Sequence, residues 1–456
     1  MDTSNGARRW WALASVAAAQ FLAVVDAFIV NVAIPSIRAD LHAGAAEIQA
    51  VVAVYQIAYA ALVITGGRLG DIAGRKRIFI AGVLGFTLAS LWCGLSGSPA
   101  MLIFARAAQG GAAAMMVPQV LASIHTLFPD GARARAFTIF AIAIGLGAAV
   151  GFMLGGWLVT LNPAGLGWRS IFFVNVPVGA GIALAAGWLM PALPRNAGAK
   201  LDLRGAAVLF VGLLGLIVPL MFGRELGWPW WMWAAMAAGS AVLFGFLRLQ
   251  QDVARRGGAP LIDLALLEDR VFLSGINATF CFFLGNLSFY FVLTLYLQNG
   301  LGLSPFDAAL TVLPLAIAFV AGSRVTGRLL AGCVVQGIGL AGTALLVGAV
   351  ARPNMAMLML PLAVFGYGQG MVLAPLFSTV LTQVRHAHAG SGAGILTTVQ
   401  QMANGAGVVL VGTVYFAVAG HRLALLAAMV ALGCTVVATI GCLLRMRPQT
   451  RVATAA

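Results

Sequence analysis

The sequence predicts an all-α membrane protein with fourteen transmembrane helices. Three observations predict it. Of 456 residues, 61% are hydrophobic and only 9% charged, against about 25% charged in an ordinary soluble domain. The mean hydropathy is +0.98. Apolar stretches near the roughly 20 residues that cross a bilayer follow one another along the whole chain. The same composition excludes disorder, collagen and coiled coil. The 56 glycines suit helices that approach closely in lipid, where no hydrophobic effect drives their association.

The stretches fall at 11–34, 47–66, 78–98, 100–124, 136–160, 168–190, 203–223, 229–248, 271–297, 306–326, 331–350, 354–380, 391–418 and 421–444. The first follows Arg8-Arg9 and passes Ala17-Ala18-Ala19, as a signal peptide does. It continues to Pro35, so an uncleaved first span is expected. Pro118, Pro177 and Pro314 within spans are compatible with helix, because neighbours in lipid satisfy the freed backbone groups.

Loop charge sets the orientation. With the N-terminus in the cytoplasm, the inner side receives Arg8, Arg9, Arg68, Arg75, Lys76, Arg77, Arg133, Arg135, Arg195, Lys200, Arg204 and the later bases of 248–270, 324–328, 385 and 445–451. The outer side receives only Arg38, Arg169, Arg224, Arg352 and Arg422. This is the positive-inside bias, and dropping one span would scramble it. Both termini are expected in the cytoplasm of a bacterial inner membrane. The net charge of +14 then reports topology, and no nucleic-acid partner is expected. Five cysteines without a CxxC read as packing residues, with neither disulfide nor metal framework.

Gly67-Arg68-Leu69 closes span 2 and Gly327-Arg328-Leu329 closes span 10. Spans 1–6 and 9–14 have nearly equal lengths. A duplicated architecture is expected: an N-terminal six-helix bundle over 1–190, a central insertion with two helices over 191–270, and a C-terminal bundle with its tail over 271–456.

Two charges lie inside spans, Asp26 and Arg106. A charge at mid-bilayer costs about 2.5–3.5 kcal/mol on insertion scales, and such residues usually serve transport. Asp26 lies about 12 Å and Arg106 about 9 Å below the outer ends of their spans, at 1.5 Å per residue. They share a level. The expectation is a protonatable switch at Asp26, neutral when desolvated and charged when Arg106 or water faces it; a static buried pair is the alternative. Gln109 and Gly110 follow Arg106 at i+3 and i+4 and add a polar site with close backbone approach.

Three further groups stand out. The loop Gly67 to Arg77 contains Gly67, Asp71, Gly74, Arg75 and Lys76. An acid in so basic a loop needs a partner, and a conformational latch using Arg133 across the same face is expected. Gly147, Gly151, Gly155 and Gly156 in span 5 place three glycines on one face, suited to tight contact and to a hinge between halves. Tyr55, Gln56, Tyr59, Gln109, Gln119, Asn286, Tyr290, Gln369, Gln400 and Asn404 are candidates to line a substrate cavity.

At these residues the chain resembles the major facilitator superfamily, and more narrowly its fourteen-span drug:proton antiporter branch. Gly67-x-Leu69-x-Asp71-x-x-Gly74-Arg75-Lys76 is similar to the superfamily's hallmark loop. Arg106-x-x-Gln109-Gly110 is similar to its span 4 motif. Asp26 followed by Ile29-Val30-Asn31-Val32-Ala33-Ile34-Pro35 is similar to the branch's span 1 motif. Trp168-Arg169-x-x-Phe172-Phe173-x-Asn175-x-Pro177 resembles another branch signature. There are departures. Phe152 stands where the antiporter motif of span 5 has Pro, Phe28 where a Thr is expected, the second-half loop has lost its acid, and no second acid lies within a span.

The resemblance implies two six-helix bundles rocking around a central cavity, with Asp26 and Arg106 in the coupling region. The expected function is proton-coupled efflux of small amphipathic compounds such as drugs, by a monomer that needs no cofactor beyond the proton gradient. An exporter dedicated to one endogenous metabolite, possibly an anion drawn by Arg106, is the alternative, and a non-transporting sensor a further one. No enzyme is expected: HExxH, a nucleophile elbow and a phosphate loop in context are all lacking.

Overall fold

The computed structural model describes residues 3–128, 130–191, 202–256, 258, 260, 268–325, 328–382 and 389–446. Its helices are α1 (Thr3–Leu41), α2 (Ala45–Ala73), α3 (Arg75–Gly94), α4 (Pro99–Leu127), α5 (Asp130–Leu161), α6 (Ser170–Phe173), α7 (Asn175–Leu189), α8 (Leu203–Phe222), α9 (Trp230–Arg255), α10 (Arg270–Leu295), α11 (Pro305–Gly322), α12 (Leu329–Ala349), α13 (Met355–Thr382), α14 (Ala389–Ala417) and α15 (His421–Arg445). With α6 and α7 sharing one crossing, these make fourteen spans. Thirteen segments are long and apolar enough for a bilayer by composition alone; α14, carrying Gln400, Gln401 and Asn404, is not among them. It crosses because its polar residues face other helices.

The two halves repeat one packing plan. In the first, α1 packs on α5 and α7, α2 on α4, and α3 on α4 and α7. In the second, α10 packs on α14 and α15, α11 on α13, and α12 on α13 and α15. Close approach by glycine recurs as well. A Cβ on Gly110 of α4 would stand 2.2 Å from Tyr55 O of α2, and one on Gly366 of α13 would stand 2.2 Å from Leu315 O of α11. The glycines at 366, 368 and 370 are thus points of helix contact. Gly327, the second-half partner of Gly67, lies outside the described residues. The halves meet where α2 packs on α14 and α5 on α11, a seam with two-fold character.

Between the halves, α8 and α9 form a hairpin. Asp202 caps α8 by accepting from Gly205 N at 2.8 Å, and its other oxygen accepts from Gln250 Nε2 of α9 at 2.7 Å. Gly215 and Gly239 let the two backbones touch. Leu209, Leu213 and Ile217 of α8 share a core with Ala53 and Ile57 of α2 and Val409 of α14, so α8 covers one flank of the seam. Glu225, in the α8–α9 turn, accepts from Ala46 N at the start of α2 at 2.8 Å. That satisfies a donor the helix terminus leaves free.

The cores divide by depth. On the face away from the chain ends, one cluster joins both halves, from Val25–Ile37 of α1 and Ile48–Val52 of α2 to Leu287–Leu297, Ala308–Leu315 and Val408–Tyr415. On the face carrying the chain ends, each half has its own cluster. Polar bonds reinforce the shared side: Gln298 Nε2 donates to Val32 O at 2.8 Å and Phe306 N to Thr160 Oγ1 at 3.2 Å. Among the described residues the buried cluster is therefore shared on the far face and divided on the terminal face, where α2 and α14 still approach at Ile64 and Gly394.

Candidate functional site

Asp26 of α1 is fully enclosed. Its Oδ2 accepts from Arg106 Nη1 at 2.6 Å, and its Oδ1 accepts from Gln109 Nε2 and Asn175 Nδ2, both at 2.8 Å. A carboxylate is an acceptor only, and three donors meet it here. Arg106 is held independently of the acid. Its Nε donates to Val51 O at 3.2 Å, its Nη1 also reaches Gln109 Oε1 at 2.6 Å, and its guanidinium carbon lies 4.4 Å from the Tyr55 ring centre. The site is thus a buried cation–carboxylate pair whose cation also has partners of its own.

Local sequence explains the placement. Arg106, Gln109 and Gly110 share a face because residues three and four apart are neighbours on a helix. Gly110 lets α4 reach α2 closely enough for the bond to Val51 O. Asn175 begins α7, just after the turn at Val174. Pro177 has no N–H, so the Phe173 carbonyl lacks its ordinary helical donor.

Asp26 points into the N-terminal bundle, whereas Phe28 points across the seam. Residues i and i+2 stand about 200° apart around a helix of 3.6 residues per turn. The Phe28 ring lies 5.2 Å from that of Tyr290 in the other half, and Phe152 lies 5.6 Å from Phe28 and 5.3 Å from Tyr290. The two departures from the branch motifs, Phe28 and Phe152, therefore meet in one aromatic cluster across the halves. The Tyr290 hydroxyl donates to Gln369 Oε1 at 3.0 Å.

The other candidates separate by place. Tyr55, Gln109 and Gln119 are buried. They are taken up inside the N-terminal bundle, where Gln119 Nε2 donates to Gly66 O at 2.8 Å and the other two surround Arg106. Tyr59 packs edge-on to Tyr55 at 6.4 Å. Gln56 faces the seam: a Cβ on Gly405 of α14 would lie 3.5 Å from its Cβ. Asn404 Nδ2 donates to Gln401 Oε1 at 3.3 Å. Gln56 Oε1, Gln369 Nε2 and Asn404 Oδ1 are buried without a partner among the described residues, as groups meant for another molecule or for water would be. Asn286 and Gln400 are half-buried.

The expected loop from Gly67 to Arg77 is helical except at Gly74, and Asp71 at the end of α2 pairs with Arg75 at the start of α3 at 3.1 Å. Arg75 also donates to Ala122 O at 2.9 Å and to Thr126 Oγ1, both on α4. Lys76 Nζ donates to Gly187 O at 2.7 Å. Gly74 has φ +99°, a conformation that favours glycine. The tight approaches in this stretch are at Gly66 and Gly70, where a Cβ would lie 2.0 Å from Ala114 O and 1.9 Å from Gln119 Oε1; at Gly67 the nearest atom is 3.6 Å away. The side chain of Arg133 lies outside the described residues.

The glycine stripe of α5 serves its own bundle. Cβ atoms on Gly147, Gly151 and Gly155 would meet α1 at Val24, Val25 O and Ile29, at 3.0, 2.8 and 2.9 Å. Gly156 instead meets α11, at Pro305 O and Ala309. Contact between halves thus falls to glycines off the stripe, Gly156 and also Gly145, where a Cβ would lie 3.2 Å from Val320 of α11, because a spacing of four keeps the other three on the α1 side.

Sequence reasoning missed two members of the site. Asn175 stood in a quoted signature but carried no assigned role. Ser90, whose Oγ accepts from Gln109 Nε2 at 2.8 Å, looks in sequence like any small packing residue.

Two bundles of the same plan facing each other across a membrane seam define a secondary transporter. The chain belongs to the Major Facilitator Superfamily, whose sequence profile matches residues 16–408. It is 40% identical over 427 residues to a probable actinorhodin transporter of Streptomyces coelicolor, covering 91% of this chain and 74% of that one. It is 35% identical to a puromycin resistance protein of Streptomyces alboniger, covering 89% and 82%. Among solved structures, an auto-inhibited POT family peptide transporter matches with a TM-score of 0.68 at 15% identity, over 98% of each chain, a likeness of fold alone.

Proposed function

We propose that the protein is a proton-coupled exporter of small amphipathic compounds in a bacterial inner membrane. Both termini face the cytoplasm, so the shared cluster lies on the outer side. It works as a monomer, and the proton gradient is its energy source. The observation that carries this reading is the Asp26–Arg106 pair, because Asp26 is the one acid the sequence places deep within a span, and it accepts from two other helices of its bundle, twice from α4 and once from α7.

Protonation of Asp26 removes the charge that holds α1 to Arg106. Arg106 stays in place through Val51 O and Tyr55. The freed α1 carries Phe28 against Tyr290, so one helix links the proton site to the closure between halves. Each charge crossing 100 mV supplies about 2.3 kcal/mol. The names of the relatives, a probable transporter of one antibiotic and resistance to another, support export. A carrier dedicated to a single compound is the second reading, favoured by the 40% identical relative being named for one compound. An anion drawn by Arg106 is disfavoured, since that guanidinium is paired and lies behind Tyr55.

Everted vesicles with an imposed pH gradient test the proposal. Puromycin and a planar aromatic antibiotic serve as probes. Uptake that a protonophore abolishes supports proton-coupled export. Uptake that persists after the gradient collapses overturns it.

A further inference from the structure

We propose that Asn175 is a positioning residue that adapts Asp26 to both of its protonation states. Its amide donates to the carboxylate and, turned by half a rotation, accepts the O–H of the acid. The inference rests on the proton-coupling reading of Asp26.

The argument is an inventory of donors and acceptors. Charged Asp26 needs donors and has Arg106, Gln109 and Asn175. Neutral Asp26 brings one O–H, which must find an acceptor in a site sealed from solvent. Before α1 moves, Oδ2 still faces Arg106, so the arriving proton belongs on Oδ1, the oxygen that faces Gln109 and Asn175. Gln109 Oε1 is already taken by Arg106. Ser90 Oγ already accepts from Gln109, and lies 3.4 Å from Asn175 Nδ2. Asn175 Oδ1 is buried and accepts from nothing among the described residues.

A half-turn of the Asn175 amide exchanges its oxygen and nitrogen, which are nearly the same size. The oxygen then accepts from Asp26 Oδ1–H, and the Ser90 hydroxyl can turn to donate to it as well. One unpartnered amide atom replaces another, so the turn costs little in hydrogen bonds. The other titratable groups around the acid are Arg106 and Tyr55 beside it and Cys93, whose sulfur lies 3.8 Å from Gln109 Oε1; none of them is a free acceptor of this proton.

Infrared difference spectroscopy of the full chain in liposomes, between neutral and acid pH, tests this. Wild type is expected to show a carboxylic C=O band that Asp26→Ala removes. In Asn175→Leu, of similar size but without hydrogen-bonding groups, that band is expected at higher wavenumber, because the acid has lost its acceptor. Gly433→Ala, where an added Cβ meets nothing within 4 Å, leaves it in place. An unchanged band in Asn175→Leu overturns the role of Asn175, while absence of the band in wild type overturns the proton reading itself. Should Asn175→Leu fail to fold, wild type grown on 13C-asparagine decides: an isotope-shifted amide band must accompany the Asp26 band, and its absence overturns the proposal.

Discussion

Asp26 Oδ2 and Arg106 Nη1 stand 2.6 Å apart, with both side chains shut off from solvent. Removing one partner of such a pair leaves an uncompensated buried charge, at about 3–5 kcal/mol. Arg106→Gln is therefore expected to unfold earlier in detergent by that order. The double variant Asp26→Asn, Arg106→Gln should regain most of the loss without regaining coupling. Thermal melts of the three proteins check this, and a double variant no more stable than Arg106→Gln contradicts it.

Gly110 is where α4 touches α2. A methyl group there meets Tyr55 O at 2.2 Å, and backbone cannot yield as a side-chain tip does. Gly110→Ala is expected to cost about 1–3 kcal/mol and to cut transport by breaking the Arg106–Val51 bond. Gly433→Ala, with nothing within 4 Å, should melt like wild type. The same melting assay compares the two.

Arg75 and Asp71 are only part-buried, so their pairing contributes about 0–1 kcal/mol at most. Arg75 nonetheless ties the α2–α3 junction to the end of α4. Arg75→Ala is expected to leave the melting temperature nearly unchanged while slowing vesicle transport several-fold. A large loss of stability with normal transport per folded molecule would reverse the assignment.

The shared far-face cluster predicts a distance change. Spin labels at Thr160 and Phe306, which are bonded across the seam, should be close at rest. Their separation should grow when acid on the outer side drives the cycle. A separation that never changes during turnover rules out this seam as the moving gate.

Much of this was legible in the sequence, for physical reasons. Span count follows from bilayer thickness, and the shared level of Asp26 and Arg106 follows from the rise of a helix. The facing of single side chains does not follow. Tyr55 and Gln119 are as polar in sequence as Gln56, yet packing of α4 on α2 encloses the first two and leaves Gln56 at the seam. Asn175 belongs to the site only because α7 packs beside α1 and α3, which no local pattern encodes. Phe28 and Phe152 read as two separate departures, and only the fold brings them together against Tyr290.

The most direct measurement is the pH-dye response of everted vesicles to added substrate, in wild type and Asp26→Asn. Wild type should release quenching as protons leave with each exchange, and Asp26→Asn should bind substrate without any response. A normal proton signal from Asp26→Asn would mean the coupled proton travels elsewhere.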